Sequence, residues 1–275
     1  MDPLRAIPAE LAASVQAFFD EGREPVTPRD ASSVILLREG GAGPEVYLLR
    51  RHTGMAFAGG FCVFPGGGVD PRDFDAEVGW AGPSVAAWAA ALRCEEEVAR
   101  ALVCAAIRET FEESGVLFAG PTADSVVSDT TGAEWEADRK ALEARELSLT
   151  ELLAGRGLVL RSDLLRFWAH WITPEWEPRR FDTRFFVAVL PAGQTTRDVS
   201  TESDQVTWLP AAAAVAAVDA EELAMLPPTY LNTSDVAVHP TAAAVLAAAT
   251  DRLPQVVRPQ LVVDPDGTAR LHVGR

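Results

Sequence analysis

Hydrophobic residues recur along this chain with two periods, which predict β-strands in some stretches and α-helices in others. Short runs of branched and aromatic residues predict strands. These runs are SSVILLREG, EVYLLRRH, the apolar part of FAGGFCVFPGGGVD, LLRFWAHWITP, RRFDTRFFVAVLP, VTWLP, QLVVD and ARLHV. A glycine-rich turn at residues 40–43 joins the first two runs into a predicted hairpin. The segment Pro265-Asp266-Gly267 predicts a turn between the last two.

Helical periodicity occurs between these strands. The predicted helices are an N-terminal helix followed by the linker Pro25 to Pro28, a stretch from Ser84 to about Ser114, one from about Glu134 to Glu146, a short one ending near Gly155, one beginning at Ala211, and one alanine-rich helix in the part that follows Leu226. The stretch from Ser84 is one helix or two, with Pro83 as a start signal and Gly115 as a stop signal. Ser148 and Glu151 form a capping box. The polar segment 120–132 is tolerant of disorder.

Strands and helices are mixed along the chain and do not strictly alternate. We therefore predict an α/β (α+β) fold with a mixed sheet between helices, not a doubly wound parallel sheet. The 275 residues suffice for a sizeable core. No apolar run approaches the ~20 residues of a membrane span, and the N-terminus does not resemble a secretory signal. We expect a soluble, cytoplasmic protein.

The three cysteines favour no metal or disulfide framework. Cys62, Cys94 and Cys104 are odd in number and lack CxxC spacing, so we expect free, buried thiols and neither structural zinc nor a disulfide network.

A net charge of −16 constrains the partners of the chain. A field of this sign repels nucleic acid and anionic membranes, so we expect neither as a partner. A small phosphate-bearing substrate needs bound cations or a local cluster of basic side chains to reverse the potential. Lys140 is the only lysine, and the arginines that supply the rest of the positive charge suit phosphate through their planar forks. A homodimer is a further possible partner.

The segment from Arg108 to Val116 carries the clearest chemical signal. On a helix, Glu109, Glu112 and Glu113 fall within roughly a third of the circumference. The opposite side is apolar, with Val103, Ile107 and Phe111. Carboxylates clustered near a helix C-terminus repel one another and oppose the helix dipole, a cost that bound cations offset. Oxygen-only ligands favour Mg²⁺ or Mn²⁺. The alternative is a solvated acidic helix face.

A glycine-rich segment upstream is the second signal. Phe64-Pro65-Gly66-Gly67-Gly68-Val69-Asp70 predicts a turn, and Asp73 stands six residues after Gly67. Glycines here allow a ligand to approach the backbone closely and permit φ values that other residues avoid. The alternative is an ordinary structural turn after a strand.

These two segments resemble the halves of the Nudix box, G-x5-E-x7-R-E-U-x-E-E-x-G-U, where U is a bulky apolar residue. Gly67 matches the first glycine, and Asp73 stands where a glutamate is usual. The remainder is matched in order by Arg108, Glu109, Glu112, Glu113, Gly115 and Val116. Thr110 occupies a usually apolar position, and 34 residues (74–107) separate Asp73 from Arg108 where the pattern has seven.

A split at this place resembles the branch of Nudix proteins that includes the peroxisomal coenzyme A diphosphatases. Further stretches similar to that branch are FWAHWITP, RFDTRFF and LPPT. Upstream, LLRRHTGMAFAGGFCVFPGG resembles in part the signature that precedes the box in coenzyme A-cleaving Nudix enzymes, with Gly60 four residues before Phe64. The resemblance covers about residues 33–230.

The resemblance implies a Nudix-type α-β-α sandwich with a helical insertion inside the box. We expect an N-terminal helix and linker at 1–29, a Nudix domain at 30–230 that contains the insertion segment 74–107, and a C-terminal helix and strand extension of the same domain at 231–275.

The resemblance also implies that Mg²⁺ or Mn²⁺ is held by Glu109, Glu112 and Glu113, with a backbone carbonyl of the Gly66–Gly67 turn. Arg108 is interpreted as an orienting ion-pair partner of the glutamates. Family members commonly carry a further acid in the loop before the strand that is VTWLP here, and the candidates are Glu202 and then Asp204.

Substrate phosphates outside the metal site need donors. The candidate substrate-binding residues are Gly66, Gly67, Gly68, Arg50, Arg51, Arg180 and Arg184, with Arg179 nearby. For His52 and His170 we expect structural or surface roles. For Trp168, Trp171 and Trp176 we expect core or lid positions.

The leading hypothesis is hydrolysis of coenzyme A or acyl-CoA to 3′,5′-ADP and (acyl) 4′-phosphopantetheine. ADP-ribose, NADH or a nucleotide sugar is the alternative substrate, since pocket contacts set that choice. A Nudix-fold module that binds a nucleotide without cleaving it is a further alternative. Trp80 and Trp88 in the insertion could cover a partner subunit or the cleft.

Overall fold

The computed structural model describes residues 4–6, 9–52, 54, 59–199, 203–264 and 269–274. The strands are β1 (Leu4–Ala6), β2 (Arg29–Gly40), β3 (Gly43–Arg51), β4 (Cys62–Val63), β5 (Gly66–Gly68), β6 (Trp80–Ala81), β7 (Ala119–Gly120), β8 (Val159–Arg161), β9 (Arg166–Ile172), β10 (Phe181–Val189), β11 (Ser203–Pro210), β12 (Val256–Val257), β13 (Gln260–Val263) and β14 (Ala269–His272). The α-helices are α1 (Ala9–Asp20), α2 (Val85–Leu92), α3 (Glu96–Ser114), α4 (Ala133–Glu143), α5 (Leu149–Gly155), α6 (Ala211–Asp219), α7 (Pro227–Ala237) and α8 (Ala242–Thr250). Short 3-10 turns span Pro71–Phe74 and Ser162–Leu164.

The central sheet is mixed, as predicted. Its strand order is β11-β3-β2-β10-β9-β12, and β4 and β5 add short pairings to β3 and β2. Strand β10 runs parallel to β2, and β12 runs parallel to β9, whereas the other pairs are antiparallel. Two small sheets, β6-β8-β7 and β1-β14-β13, complete the strands of the described residues.

Strand β2 shows why helices cover both faces of this sheet. Val34 and Leu36 lie in the core shared with α2 and α3, and Ile35 and Leu37 lie in the core shared with α6, α7 and α8. All four side chains are completely buried. A continuous apolar run of this kind is typical of a strand covered on both sides, and the predicted α-β-α sandwich is confirmed.

Most of the predicted elements form with the expected end signals. Ser84 caps α2 by accepting a hydrogen bond from the Ala87 N–H at 3.2 Å, and the chain then turns into α3 through Arg93, whose φ of 57° is left-handed. Gly115 ends α3 with a φ of 74°. The hairpin of β2 and β3 and the capping box of Ser148 before α5 are also confirmed. The predicted turn at 265–267 lies outside the described residues.

Helix α7 was not predicted. Its first residues, Pro227 and Pro228, are tolerated in a first helical turn because the N–H groups there have no intrahelical acceptor. Further along, Thr233 and Ser234 donate their hydroxyls back to carbonyls four residues earlier, which is a weak helical pattern in isolation. Packing of Tyr230 and other buried residues against the sheet stabilises the helix. The boundary that we expect at residue 230 falls inside it.

The insertion segment 74–107 contains β6, α2 and the first turns of α3. Trp88 is 5% exposed and packs edge-on against Phe186 of β10, with 5.7 Å between ring centroids. Trp80 is half-buried and donates its indole N–H to the Pro83 carbonyl at 2.7 Å. Trp88 is therefore a core residue of its own chain, so the expectation that it covers a partner or the cleft is wrong.

The polar segment 120–132 is an ordered loop. Its Val127 carbonyl accepts a hydrogen bond from the Gln194 amide at 2.7 Å, and the Thr130 hydroxyl donates to the Gly115 carbonyl at 2.6 Å. In the part of the chain that the structure describes, no helix is both long enough and apolar enough to cross a lipid bilayer.

We expect Trp88→Ala to lower the free energy of unfolding by about 3–5 kcal/mol, because truncation of a buried aromatic side chain leaves a cavity in the core. Denaturant unfolding followed by tryptophan fluorescence and circular dichroism measures this change. Ala90→Ser on the exposed side of α2 is the matched control. Unchanged stability together with a halved mass in light scattering would instead assign Trp88 to a subunit interface.

Candidate active site

The two halves of the split motif meet in a buried ion pair. Asp73 lies in the 3-10 turn after β5, and Arg108 lies on α3. The Arg108 guanidinium donates from Nε to Asp73 Oδ1 at 3.0 Å and from Nη2 to Asp73 Oδ2 at 2.9 Å. Both side chains are less than 10% exposed. The 34 residues between them therefore leave the motif intact in space, with Asp73 in the role of a carboxylate partner for Arg108.

Asp70 fixes the position of Asp73. The Asp73 carboxylate accepts the backbone N–H of Asp70 at 2.8 Å, and Asp70 in turn accepts the backbone N–H of Arg72 at 2.9 Å. The bond from the Asp70 N–H to the Asp73 carboxylate and its reciprocal bond from the Asp73 N–H to the Asp70 side chain form a capping box at the start of the turn. Hydrogen bonding from the Arg72 guanidinium lowers the pKa of Asp70 to about 2, against the opposing effect of burial. Asp70 is thus ionised at neutral pH and holds the turn in place.

Arg108 gathers the other charges of the motif around one guanidinium. Nη1 donates to Glu109 Oε1 at 2.8 Å and to Glu112 Oε1 at 3.2 Å, and Nη2 also donates to the Gly68 carbonyl at 3.0 Å. Burial alone would lower the pKa of Arg108, but the hydrogen bonds of Asp73 and the charge of Glu109 outweigh it and raise the pKa. Arg108 therefore stays protonated and orients the glutamates.

Glu112 carries the electrostatic cost of the cluster. Burial and the negative charge of Glu109 raise the pKa of Glu112 to about 7, although Arg108 opposes the rise. A raised pKa of this kind is typical of a carboxylate that lies near like charges and is partly desolvated. A cation bound between Glu109 and Glu112 would reduce this repulsion.

The C-terminal end of α3 is compensated by arginines from outside the helix. Arg139 of α4 donates to the Glu112 carbonyl at 2.7 Å and pairs with Glu136 and Glu143. Arg197 pairs with Glu136 at 2.7 Å and lies against Gly115. Positive charge near the last carbonyls stabilises a helix, which offsets the acidic residues that crowd the same turn.

The glycine segment forms strand β5 and not the predicted turn. Gly66 pairs with Ser33 and Gly68 pairs with Ala31 of β2, and none of the three glycines has a left-handed φ. The expectation that they supply unusual φ values is wrong, and space is the reason for glycine. A Cβ on Gly66 would lie 2.4 Å from the Ser32 carbonyl oxygen.

The same close packing brings α3 carboxylates onto the glycine strand. A Cβ on Gly67 would lie 2.4 Å from Glu109 Oε1, and the Gly66 N–H donates to Glu113 Oε2 at 2.8 Å. Glu113 is 8% exposed. The absence of side chains on this strand leaves space for the Glu109 carboxylate beside β5.

A cleft of about 710 Å³ opens at this place. Glu109, Glu113, Arg108 and Gly66–Gly68 line one part of it. The rest is lined by the beginning of β2, the adjoining ends of β9 and β10, and the first turn of α7. Trp171, Trp176 and Phe181 add aromatic surface. The cleft thus joins an acidic end to an aromatic one.

The predicted arginines divide between this cleft and the protein interior. Arg51 lines the cleft, whereas Arg50 is exposed and is not among the lining residues. Arg180 is buried and donates to the carbonyls of Val26 at 2.7 Å and Thr173 at 3.1 Å.

Arg184 is buried and pairs with Asp182 and Asp30. It shares the sheet face of Phe186, which packs with α2 and α3, whereas its neighbour Thr183 lines the cleft. The structure therefore does not bring Arg180 and Arg184 to the cleft, because strand alternation and backbone acceptors hold them elsewhere.

Two arginines that we did not select line the cleft, namely Arg29 and Arg145, together with Arg179. The pairing of β2 with β10 sets the face on which Arg29 lies, so the sequence alone does not indicate it. Glu202 lies outside the described residues, and so does the side chain of Asp204.

The two histidines and three tryptophans considered in the sequence lie at the surface, in the core or at the cleft. His52 is exposed, and His170 is buried with Nε2 2.5 Å from Asp182 Oδ1. Trp168 and Trp171 are buried in the core, and Trp171 and Trp176 line the cleft.

The donor set fits a hard divalent cation by its chemistry. Glu109, Glu112 and Glu113 offer only oxygen, with backbone carbonyls of the glycine strand beside them. Across the described residues, however, no three histidine, cysteine, aspartate or glutamate side chains converge as a ready set of ligands. Glu109 and Glu112 face the Arg108 guanidinium instead.

We expect Asp73→Ala to lower the free energy of unfolding by about 3–5 kcal/mol, because Arg108 then loses its main counter-charge while it stays buried. Chemical denaturation measures the change. Glu77→Ala, four residues along and exposed, is the control and should change stability little. An Asp73→Ala protein as stable as the wild type would show that the pair does not hold the two segments together.

Comparisons with known proteins identify the family of the chain. A family model described as the NUDT19 Nudix domain matches residues 90–236. A relative from Caenorhabditis elegans named "Putative nudix hydrolase 7" is 30% identical over 206 residues, which cover 73% of this chain and 57% of that protein. A Xenopus laevis relative named acyl-coenzyme A diphosphatase NUDT19 is 24% identical over 225 residues, which cover 69% and 59%. The chain thus spans a little under three fifths of the length of both relatives.

Among solved structures, the crystal structure of a NUDIX hydrolase from Alicyclobacillus acidocaldarius is similar over most of the fold. It superposes with a TM-score of 0.67 at 27% identity and covers 81% of this chain and 96% of that one. The region that the family model matches includes helix α3 with Glu109, Glu112 and Glu113. The chain belongs to the Nudix hydrolase family, in the branch of the NUDT19 Nudix domain.

Proposed function

We propose that this chain is a divalent-metal-dependent hydrolase that cleaves the diphosphate linkage of a nucleoside diphosphate derivative. Coenzyme A or acyl-CoA is the proposed substrate, with 3′,5′-ADP and (acyl) 4′-phosphopantetheine as products. The observation that carries the proposal is that Glu109 and Glu113 line one cleft together with the side-chain-free strand Gly66–Gly68. A diphosphate can approach such a backbone closely while acidic ligands hold its counter-ions.

Glu109, Glu112 and Glu113 would hold Mg²⁺ or Mn²⁺ with the carbonyl of Gly66. When bound, such a cation neutralises diphosphate charge and lowers the pKa of a coordinated water. Phosphoryl transfer depends on positioning and charge stabilisation more than on a covalent protein nucleophile. A carboxylate cluster that holds a cation is therefore sufficient for the proposed hydrolysis.

The residues of this chain set the positions on which that chemistry depends. Asp73 holds the Arg108 guanidinium, and Arg108 holds Glu109 above Gly67. The Gly66 N–H holds Glu113. Each acid is therefore fixed by a donor other than the substrate, so the cleft is organised before a ligand enters.

The coenzyme A assignment is supported by the split motif and by the relative named acyl-coenzyme A diphosphatase. The cleft adds support, since it combines the acidic end with aromatic walls and arginines. ADP-ribose, NADH and nucleotide sugars share the diphosphate and are the second candidates. A module that only binds a nucleotide is disfavoured by the presence of all three glutamates on α3.

We expect Glu112→Gln and Glu113→Gln to lower turnover by about 10²–10⁴-fold, because each removes a charged ligand from the cluster. Glu97→Gln, in the exposed first turn of the same helix, is the matched control. Initial rates with saturating Mg²⁺ or Mn²⁺ measure the effect, and circular dichroism verifies the fold. Wild-type activity in both cluster variants would place the metal elsewhere.

A substrate panel decides between the candidate substrates. Coenzyme A, acetyl-CoA, ADP-ribose, NADH and a nucleotide sugar are incubated with Mg²⁺, with Mn²⁺ or with a chelator, and the products are resolved by chromatography. We expect 3′,5′-ADP from coenzyme A and no product with chelator. A strong preference for NADH or ADP-ribose would overturn the coenzyme A proposal, and no turnover of any compound would favour the binding module.

A further inference from the structure

Two arginines in the cleft have no carboxylate partner. Arg29 and Arg179 are both exposed and both line the cleft. Within the described ranges, no acidic oxygen lies within ion-pair distance of either guanidinium, whereas more than half of the other described arginines pair with an acid. In a chain with a net charge of −16, Arg29 and Arg179 thus place two positive charges without acidic partners in one cleft.

The sheet register places these arginines together and beside the glycine strand. Arg29 starts β2 opposite Phe181 of β10, and its backbone N–H donates to the Arg180 carbonyl at 3.0 Å. Arg179 is therefore next to the residue that Arg29 contacts. Gly68 pairs with Ala31, two residues along β2 from Arg29, which is about 7 Å. The arginines are thus separate from the carboxylate end but within the length of one nucleotide.

Two acids that line the cleft, Asp30 and Glu177, form no ion pair with Arg29 or Arg179 in the described structure. Asp30 lies 3.5 Å from the Arg184 guanidinium, which also pairs with Asp182. Glu177 lines the cleft as well, but its carboxylate is not within ion-pair distance of Arg29 or Arg179 in the described structure.

The chemistry of the proposed substrate identifies the anion. With the diphosphate at Glu109 and Glu113, coenzyme A has one further anionic group, the 3′-phosphate on its ribose. The pantetheine half carries no additional phosphate. Phe181, which is opposite Arg29 in the sheet register, and Trp176, which also lines the cleft, provide aromatic surface suited to a base.

We propose that Arg29 and Arg179 bind the 3′-phosphate of the substrate and thereby select 3′-phosphorylated nucleotides. This inference rests on the proposed function, because it assumes that the diphosphate lies at the carboxylates. Guanidinium groups bind phosphate through charge-assisted, often bidentate hydrogen bonds. The arginines would separate coenzyme A from dephospho-coenzyme A, ADP-ribose and NADH, which all lack this group.

The test compares coenzyme A with dephospho-coenzyme A, which differ only in the 3′-phosphate. We expect wild-type kcat/KM to favour coenzyme A, and Arg29→Gln and Arg179→Gln each to reduce that preference about tenfold. Arg258→Gln, an exposed arginine that does not line the cleft, is the control for the general loss of a positive charge. Equal use of the two compounds by the wild type, or an unaltered preference in both variants, would overturn the inference and leave the proposed hydrolase intact.

Calorimetric binding of 3′,5′-ADP and of AMP makes the test independent of turnover. We expect the wild type to bind 3′,5′-ADP more tightly than AMP and the two variants to lose most of the difference. Equal affinities in the wild type would exclude a 3′-phosphate subsite even if coenzyme A is cleaved. A clear preference for 3′,5′-ADP in a chain that fails to cleave coenzyme A would reject the proposed reaction but retain the subsite.

Discussion

The buried guanidinium of Arg108 is the interaction on which the carboxylate cluster depends. It contacts Asp73, Glu109 and Glu112 and the carbonyl of Gly68, so one positive charge compensates acids from two distant parts of the chain. Without it, three desolvated carboxylates would face one another with no counter-charge, which is far more costly than an ordinary surface cluster. The same contacts join α3 to the glycine strand β5. Arg108 therefore both compensates the acids and positions them.

The glycine strand makes the second contribution by leaving space for the Glu109 carboxylate of α3 beside Gly67. Gly66 lies against the β2 backbone at a distance that excludes a Cβ, and a Cβ on Gly67 would displace the Glu109 carboxylate. Acids from the helix that packs on one side of the sheet can therefore line a cleft that continues toward β9, β10 and α7. This packing involves few residues. It nevertheless determines which side chains line the cleft, because the hydrogen-bond register places each neighbouring strand relative to β5.

The sequence predicted those features whose cause is local. Capping by Ser84, the stop at Gly115 and the apolar period of α3 need only neighbouring residues, and the motif residues were recognisable despite the insertion. Features set by long-range packing were not predictable. Helix α7 has weak intrinsic preference, and Trp88 shows no sign in sequence of its contact with Phe186. Among the arginines, the choice between Arg29 and Arg184 depends on which face each strand position presents, and that face is fixed by the pairing of β10 with β2.

The insertion affects how the carboxylate site forms during folding. Asp73 and Arg108 are 35 positions apart, so their contact forms only after a long loop has closed, and that closure costs chain entropy. Packing of α2 through Trp88 reduces the number of loop residues that remain free. It also restrains the backbone on both sides of α2. The carboxylate cluster is thus coupled to the packing of α2, and we expect a chain in which α2 has detached to lose the contact between Asp73 and Arg108.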